Sequence, residues 1–293
     1  MNLALTVLEI TAPVFLLAAV GFTWVKVGFE YRIQFVTQLA MTLAVPCLIF
    51  TALMKTEADI VALGRLAVAA TVSYAAVGMV GWALLAAFGL NLRTYLAPFI
   101  FGNTGNLGIP LALFAFGQAG LERAVVLLAV SAVLSFTIGI WLVAGRGAFG
   151  KILKEPMIGA TLLGALFLWQ GWETPTFLTN TLELAGQMAI PMMLITLGVA
   201  VARLTPGRVV TAIGLSVVKL VVCALIAWGI ASAFALDDTS FGVLVLQIST
   251  PVAVTAYLLA EKYGADSESV AGFVVVSTLI SIAGLPLLLA LLL

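Results

Sequence analysis

The sequence predicts an all-α membrane protein of ten transmembrane helices. They form two inverted five-helix repeats, with helices 4 and 9 broken and crossing and both termini outside. Three observations carry that prediction. First, 63% of the 293 residues are hydrophobic and 9% charged, against roughly 25% charged in an ordinary soluble domain. A soluble fold could not cover that much apolar surface. Second, the apolar residues gather into ten runs of about bilayer length. Third, small polar residues and helix breaks in the first half return in the second.

A spanning helix needs roughly 20 mostly apolar residues, and charged residues divide the chain into such runs. The first, 3–25, has no basic start and closes on Lys26 rather than on a small-residue cleavage site, so it reads as a span and not a leader. The second, 35–54, lies between Arg32 and Lys55, and the third, 63–90, stops before Arg93. The fourth, 95–116, is interrupted by glycine, asparagine and proline. The fifth, 124–144, lies between Arg123 and Arg146, and the sixth, 156–172, between Glu155 and Glu173. The seventh, 182–201, stops before Arg203. The eighth, 207–236, ends at Asp237 and holds Lys219 inside it. The ninth, 241–260, stops before Glu261, and the tenth is 270–293. The connections are short and leave no room for a soluble domain.

Ten spans place both termini on one side. The odd connections carry nine Lys and Arg (Lys26, Arg32, Arg93, Arg146, Lys151, Lys154, Arg203, Arg208, Lys262), the even ones three (Lys55, Arg65, Arg123). Basic residues favour the cytoplasmic side, so both termini lie outside.

The composition also removes chemistry. Histidine is absent, which excludes HExxH zinc sites and every His-containing triad. No metal site and no enzyme is expected. Cys47 and Cys223 lie in apolar runs and read as packing residues. Net charge is zero and no basic cluster is dense enough for nucleic acid.

The halves echo each other, and the expected repeats are 1–147 and 148–293. Asn103-Thr104 in the fourth span answers to Ser249-Thr250 in the ninth, 146 residues on. Ser131 and Ser135, one turn apart in the fifth span, answer to Ser277 and Ser281 in the tenth at the same offset. Leu43-Ala44-Val45-Pro46 answers to Met188-Ala189-Ile190-Pro191, one residue out of register. Five spans per repeat force opposite topologies on the halves, the inverted repeat common among secondary transporters.

The stretch Gly102-Asn103-Thr104-Gly105-Asn106-Leu107-Gly108-Ile109-Pro110 is a poor helix flanked by apolar residues. Broken backbone at membrane depth is tolerated only inside protein or against a water-filled cavity. The matching break is Gln247-Ile248-Ser249-Thr250-Pro251. Pro251 suits the first position of a new half-helix capped by Thr250 or Ser249, and Pro110 can play the same part in the fourth span. Half-helix N-termini present free N–H groups to an anion, and C-termini present carbonyls to a cation. The candidate substrate residues are therefore Asn103, Thr104, Asn106, Gly108, Pro110, Gln247, Ser249, Thr250 and Pro251, with Ser131, Ser135, Ser277 and Ser281 facing the crossing. Lys219 joins them: a cation inside a span costs at least about 2.5–3.5 kcal/mol, which calls for a partner, an anionic substrate or a proton-carrying role. The competing reading of Lys219 is snorkelling to the cytoplasmic interface.

A carrier explains the repeat, the breaks and the lysine together. A channel would show a filter or lining charges, and a scaffold protein would need neither break nor lysine.

Residues 101–111 as quoted, Ala44-Val45-Pro46, Pro251, Tyr263-Gly264-Ala265-Asp266 and Ser277-Thr278-Leu279 together resemble the auxin efflux carrier family in its bacterial branch, over essentially the whole chain. The resemblance implies an inverted-repeat carrier with a scaffold part and a transport part in a bacterial inner membrane, distantly related to the sodium–bile acid symporters. It implies a small organic anion as substrate, auxin in plants and dicarboxylates such as malate or malonate in some bacteria. It leaves open proton or sodium coupling, a sodium-coupled symporter of the bile acid type, and a homodimer. The short connection 145–155 lacks the long loop of many plant exporters, and the spans lack the sodium-site carboxylate of the bile acid relatives.

Overall fold

Among the residues that the computed structural model describes, 3–56, 58–145 and 156–293, regular structure is helical apart from one isolated antiparallel bridge. The helices are α1 (Leu3–Lys26), α2 (Ile33–Met54), α3 (Ile60–Ala87), α4 (Leu92–Ile100), α5 (Thr104–Ala144), α6 (Pro156–Gln170), α7 (Thr176–Arg203), α8 (Val209–Ala233), α9 (Asp238–Ile248), α10 (Val254–Tyr263) and α11 (Ser267–Leu292). Seven of them, α1, α2, α3, α5, α7, α8 and α11, are long and apolar enough to cross a bilayer. The expected repeat boundary at 147/148 and most of the connection 145–155 lie outside the described residues.

The other predicted runs take other forms. The fourth is split between α4 and the start of α5, the ninth between α9 and α10, and the sixth is the 15-residue α6. Helix α5 has 41 residues, or about 60 Å at ~1.5 Å per residue, twice the roughly 30 Å core. It divides at Gly117, where φ 64 and ψ −154 leave the helical region; only glycine takes such a backbone without strain. A Cβ on Gly120 would come 2.3 Å from the Ala112 carbonyl oxygen, so the limbs 104–116 and 118–144 close tightly on each other.

The helices gather into two groups. Helices α1, α2, α6 and α7 pack on one another, and α3, α4, α5, α8, α9, α10 and α11 do the same. In the first group α1 and α7 touch backbone to backbone: a Cβ on Gly21 would lie 2.0 Å from Ile195 O, and one on Gly198 1.7 Å from Ala18 O. Glycine at such crossings gives dispersion contacts the close approach they need where lipid offers no hydrophobic drive. The groups meet where α1 lies against α5 and α11, where α2 and α6 lie against α5, and where the second half of α7 touches the start of α5.

Of the prolines inside helices, two lie two residues beyond a π-turn: Pro46 after Ala40–Ala44 and Pro110 after Thr104–Gly108. The wider turn relieves the clash between the proline ring and the carbonyl four residues back. Pro110 is therefore not the first residue of a half-helix, as the sequence suggests. The helix starts at Thr104, and Asn103 caps it by accepting from Asn106 N at 3.2 Å.

Side chains close other helix starts in the same way. Asn91 caps α4 by accepting from Thr94 N, Asp237 caps α9 from Ser240 N, and Asp266 caps α11 from Ser269 N. Burial works to raise the Asp237 carboxyl, yet the Ser240 hydroxyl and N–H and the nearby Arg123 hold it below its ordinary value. The Ser269 hydroxyl and N–H hold Asp266 below its ordinary value in the same manner.

Candidate functional site

The two breaks lie on each other. Past the end of α4 the chain extends through residues 101–103, and past α9 through 250–253. The two stretches pair antiparallel, with the bridge at Gly102 and Val252 and Asn103 N donating to Pro251 O at 2.7 Å. The Val252 N–H donates to Ser277 Oγ at 3.0 Å. Backbone groups freed by the breaks thus find partners inside protein, as membrane depth demands.

Residue size permits the contact. A Cβ on Gly102 would meet Thr250 Oγ1 at 2.2 Å and Thr250 O at 2.8 Å, and one on Gly108 would meet Gln247 Oε1 at 2.0 Å. Pro251 does not begin a half-helix, contrary to the sequence expectation. Helix α10 starts at Val254 with Ala253 before it. Pro251 belongs to the extended pair, where its carbonyl is used and its missing N–H loses nothing. Nor does Thr250 cap α10: its hydroxyl turns back and donates to Gln247 O at 2.7 Å.

The predicted residues fall into three sets around this pair. Asn103, Gly108, Gln247, Thr250 and Pro251 form the crossing itself. Ser249, Thr250, Pro251, Lys219, Ser277 and Ser281 line a cavity of about 10 Å³ beside it; that is the space of about one water and too small for a carboxylate-bearing molecule. Thr104 donates to Ser131 at 3.4 Å. Asn106 is half-buried at the start of α5, Ser135 is half-buried in a third π-turn, Ser135–Gly139, and Pro110 is buried in the first limb of α5.

Lys219 does not snorkel. It is 1% exposed, and its Nζ donates to Phe99 O in the last turn of α4 at 2.7 Å, with Cys223 Sγ at 3.9 Å. The same crossing holds buried polar atoms with no partner: Asn103 Nδ2, Ser249 Oγ and both ends of the Gln247 amide. Each such atom costs about 1–3 kcal/mol, which marks a place shaped for something other than packing.

Sequence reasoning missed three features. Phe99 contributes a backbone carbonyl, which residue type does not advertise. Ser216 also lines the cavity; it lies three residues before Lys219 and so on the same helix face. Glu122, 7% exposed, accepts from Thr56 and joins α5 to the end of α2; next to Arg123 it reads as a solvated loop residue.

The model of a family described as "Membrane transport protein" matches residues 6–154 and 148–289, and the chain belongs to that family, the auxin efflux carriers. The chain is 32% identical over 193 residues to an uncharacterized transporter of Methanothermobacter thermautotrophicus, covering 63% of each. It is 25% identical over 191 residues to an uncharacterized transporter of Methanocaldococcus jannaschii, covering 62% of each. It is 26% identical over 197 residues to a Rhizobium meliloti protein named "Putative malonate transporter", again 62% of each. The matched stretch thus spans less than two thirds of these relatives' length.

Proposed function

From that membership we propose that this integral membrane protein is a secondary carrier of small organic anions, carboxylates foremost, working by alternating access around the helix crossing. One observation carries the reading: two broken helices pair backbone to backbone at membrane depth, with unpartnered buried amides at the junction. Discontinuous helices at matching positions of inverted halves are where secondary transporters bind substrate. The cavity lining includes one lysine and no carboxylate, and the start of α5 turns the positive end of its dipole to the crossing. The sign favours an anion. Asn103, Asn106 and Gln247 are amides able to orient its oxygens. The cavity of about 10 Å³ is too small for the anion, so entry requires the two helix groups to part. The surface where α1, α2, α6 and α7 meet α5 and α11 is the natural seam, with α1, α2, α6 and α7 as the frame.

The finer architecture we propose is ten crossings in two inverted repeats, 1–147 and 148–293, with both termini outside. Helix α4 starts at Leu92 and α9 at Asp238, and 238 − 92 = 146. Their caps, Asn91 and Asp237, keep that offset. It is the spacing that relates Asn103 to Ser249 and Ser131 to Ser277.

Proteoliposomes test the function. Uptake of labelled malonate, alone and against a panel of unlabelled mono- and dicarboxylates, is expected to saturate, to be competed, and to accelerate when the lumen is preloaded with substrate. Uptake that rises without saturation, or a preference for organic cations, overturns the proposal.

A further inference from the structure

Helix α4 ends inside the protein, and its last carbonyls have no N–H of their own helix to accept from. The aligned peptides place up to about half a negative charge there. Bulk water does not reach it here, so a donor or a cation of the protein answers it. Near that end the hydroxyl residues Ser249, Thr250, Ser277 and Ser281, the oxygen type a small hard cation takes, line a cavity of about 10 Å³, and Lys219 joins that cavity to the Phe99 carbonyl. This is the oxygen environment of a monovalent metal ion, with room for one small particle.

Lys219 lines that cavity and holds its charge at the end of α4. Its stem rises from α8, its side chain is among the largest that the fold buries completely, and its Nζ sits 2.7 Å from Phe99 O. The ammonium is a compact cation with three donors, a match in sign for the helix end. It also repels any second cation from the adjoining oxygens. No carboxylate lines the cavity to offset two positive charges. We propose that Lys219 is a tethered counter-cation, holding the place that a coupling metal ion would take, so that the carrier works without bound sodium. The inference rests on the carrier reading and deepens it by removing the sodium-symport alternative.

The experiment uses purified full-length protein and no organic substrate. Wild type is assayed for ²²Na⁺ binding and melted in sodium, methylammonium or choline chloride at equal ionic strength. No ²²Na⁺ binding and one melting temperature in all three salts are expected. Lys219→Ala removes the charge and leaves its space. It is expected to melt lower in choline and to recover by about 3 °C or more in sodium or methylammonium, a readable shift for a chain this size. Lys219→Met, which fills the space with apolar atoms, is expected to melt low in all three. Lys219→Ser is the second cavity-forming variant if the alanine form does not fold. Sodium binding by wild type, or cavity variants indifferent to the salt, overturns the proposal. Because these readouts need no carboxylate transport, they stand if the carrier reading fails. Conversely, sodium-dependent carboxylate uptake by wild type would keep the carrier and discard the tethered cation.

Discussion

The two breaks solve one backbone problem by different means. At the first, glycine, asparagine and a foreign ammonium do the work. Gly102 lets the chains touch, Asn103 caps the start of α5, and Lys219 answers the carbonyl end of α4. At the second, hydroxyls do it: Thr250 folds back on Gln247 O, and Ser277 receives Val252 N. The residue 146 before Lys219 is Ser73, whose hydroxyl stays on its own helix at 2.8 Å from Ala69 O. A full charge therefore stands on one side of a crossing whose other side is neutral. The two breaks share a backbone pairing without sharing an electrostatic environment, and the charged side is where selectivity should be sought.

The sharpest way to break the comparison is to crowd the first break at its two glycine contacts with the second, Gly102 against Thr250 and Gly108 against Gln247. Gly102→Ala is expected to have the largest effect, about 3 kcal/mol, at the upper end for overpacking, and to abolish uptake. The new Cβ would meet the Thr250 backbone as well as its hydroxyl, so Thr250→Ala should not rescue it. Gly108→Ala meets only the end of the Gln247 side chain. It should lose less stability, about 1–2 kcal/mol, and Gln247→Ala in the same chain should restore the melting temperature. If rescue works equally at both positions, the first break is not limited by backbone contact.

Next in size is the cap at the first break. Asn103→Ala is expected to cost about 1 kcal/mol, whereas Thr250→Val, losing one local hydrogen bond, should cost no more than that. Equal losses in chemical or thermal unfolding would erase the asymmetry between the breaks.

The smallest expected effect compares the starts of α4 and α9. Asn91 does not titrate, whereas the Asp237 carboxyl is held below its ordinary value of 3.8. A depressed carboxyl contributes stability that is fully present above the unfolded value and is lost as pH falls through the folded one. Wild type should therefore lose part of the α9 cap below about pH 4, and Asp237→Asn should not. The difference is read as the melting temperature of the two proteins between pH 5 and pH 3. Identical profiles would show that the carboxyl adds nothing beyond a neutral cap.

Much of the molecule is legible along the chain because bilayer length, charge and backbone propensity are properties of neighbouring residues. The long apolar runs became α1, α2, α3, α8 and α11 with modest shifts at their ends, and the glycine- and proline-rich stretches became the breaks. The roles of the two prolines were misread for the same reason. Proline is compatible with a first helical turn wherever it falls, but a π-turn admits Pro110 within a helix and a partner strand recruits Pro251 as an acceptor. Neither circumstance is visible in the residues adjoining them.

The partners of the site residues belong to folding rather than to pattern. Its position in an apolar run leaves Lys219 either interior or snorkelling to the interface, and tertiary packing decided for the interior. That it meets Phe99 O, 120 residues away, depends on how α8 packs against the end of α4. Glu122 meeting Thr56 across 66 residues is of the same kind. Hydropathy and propensity act between neighbours in the chain, whereas a carbonyl has no side-chain identity to read. Its partner is chosen only when the packing of distant helices brings a donor atom within about 3 Å of it, the reach of a hydrogen bond.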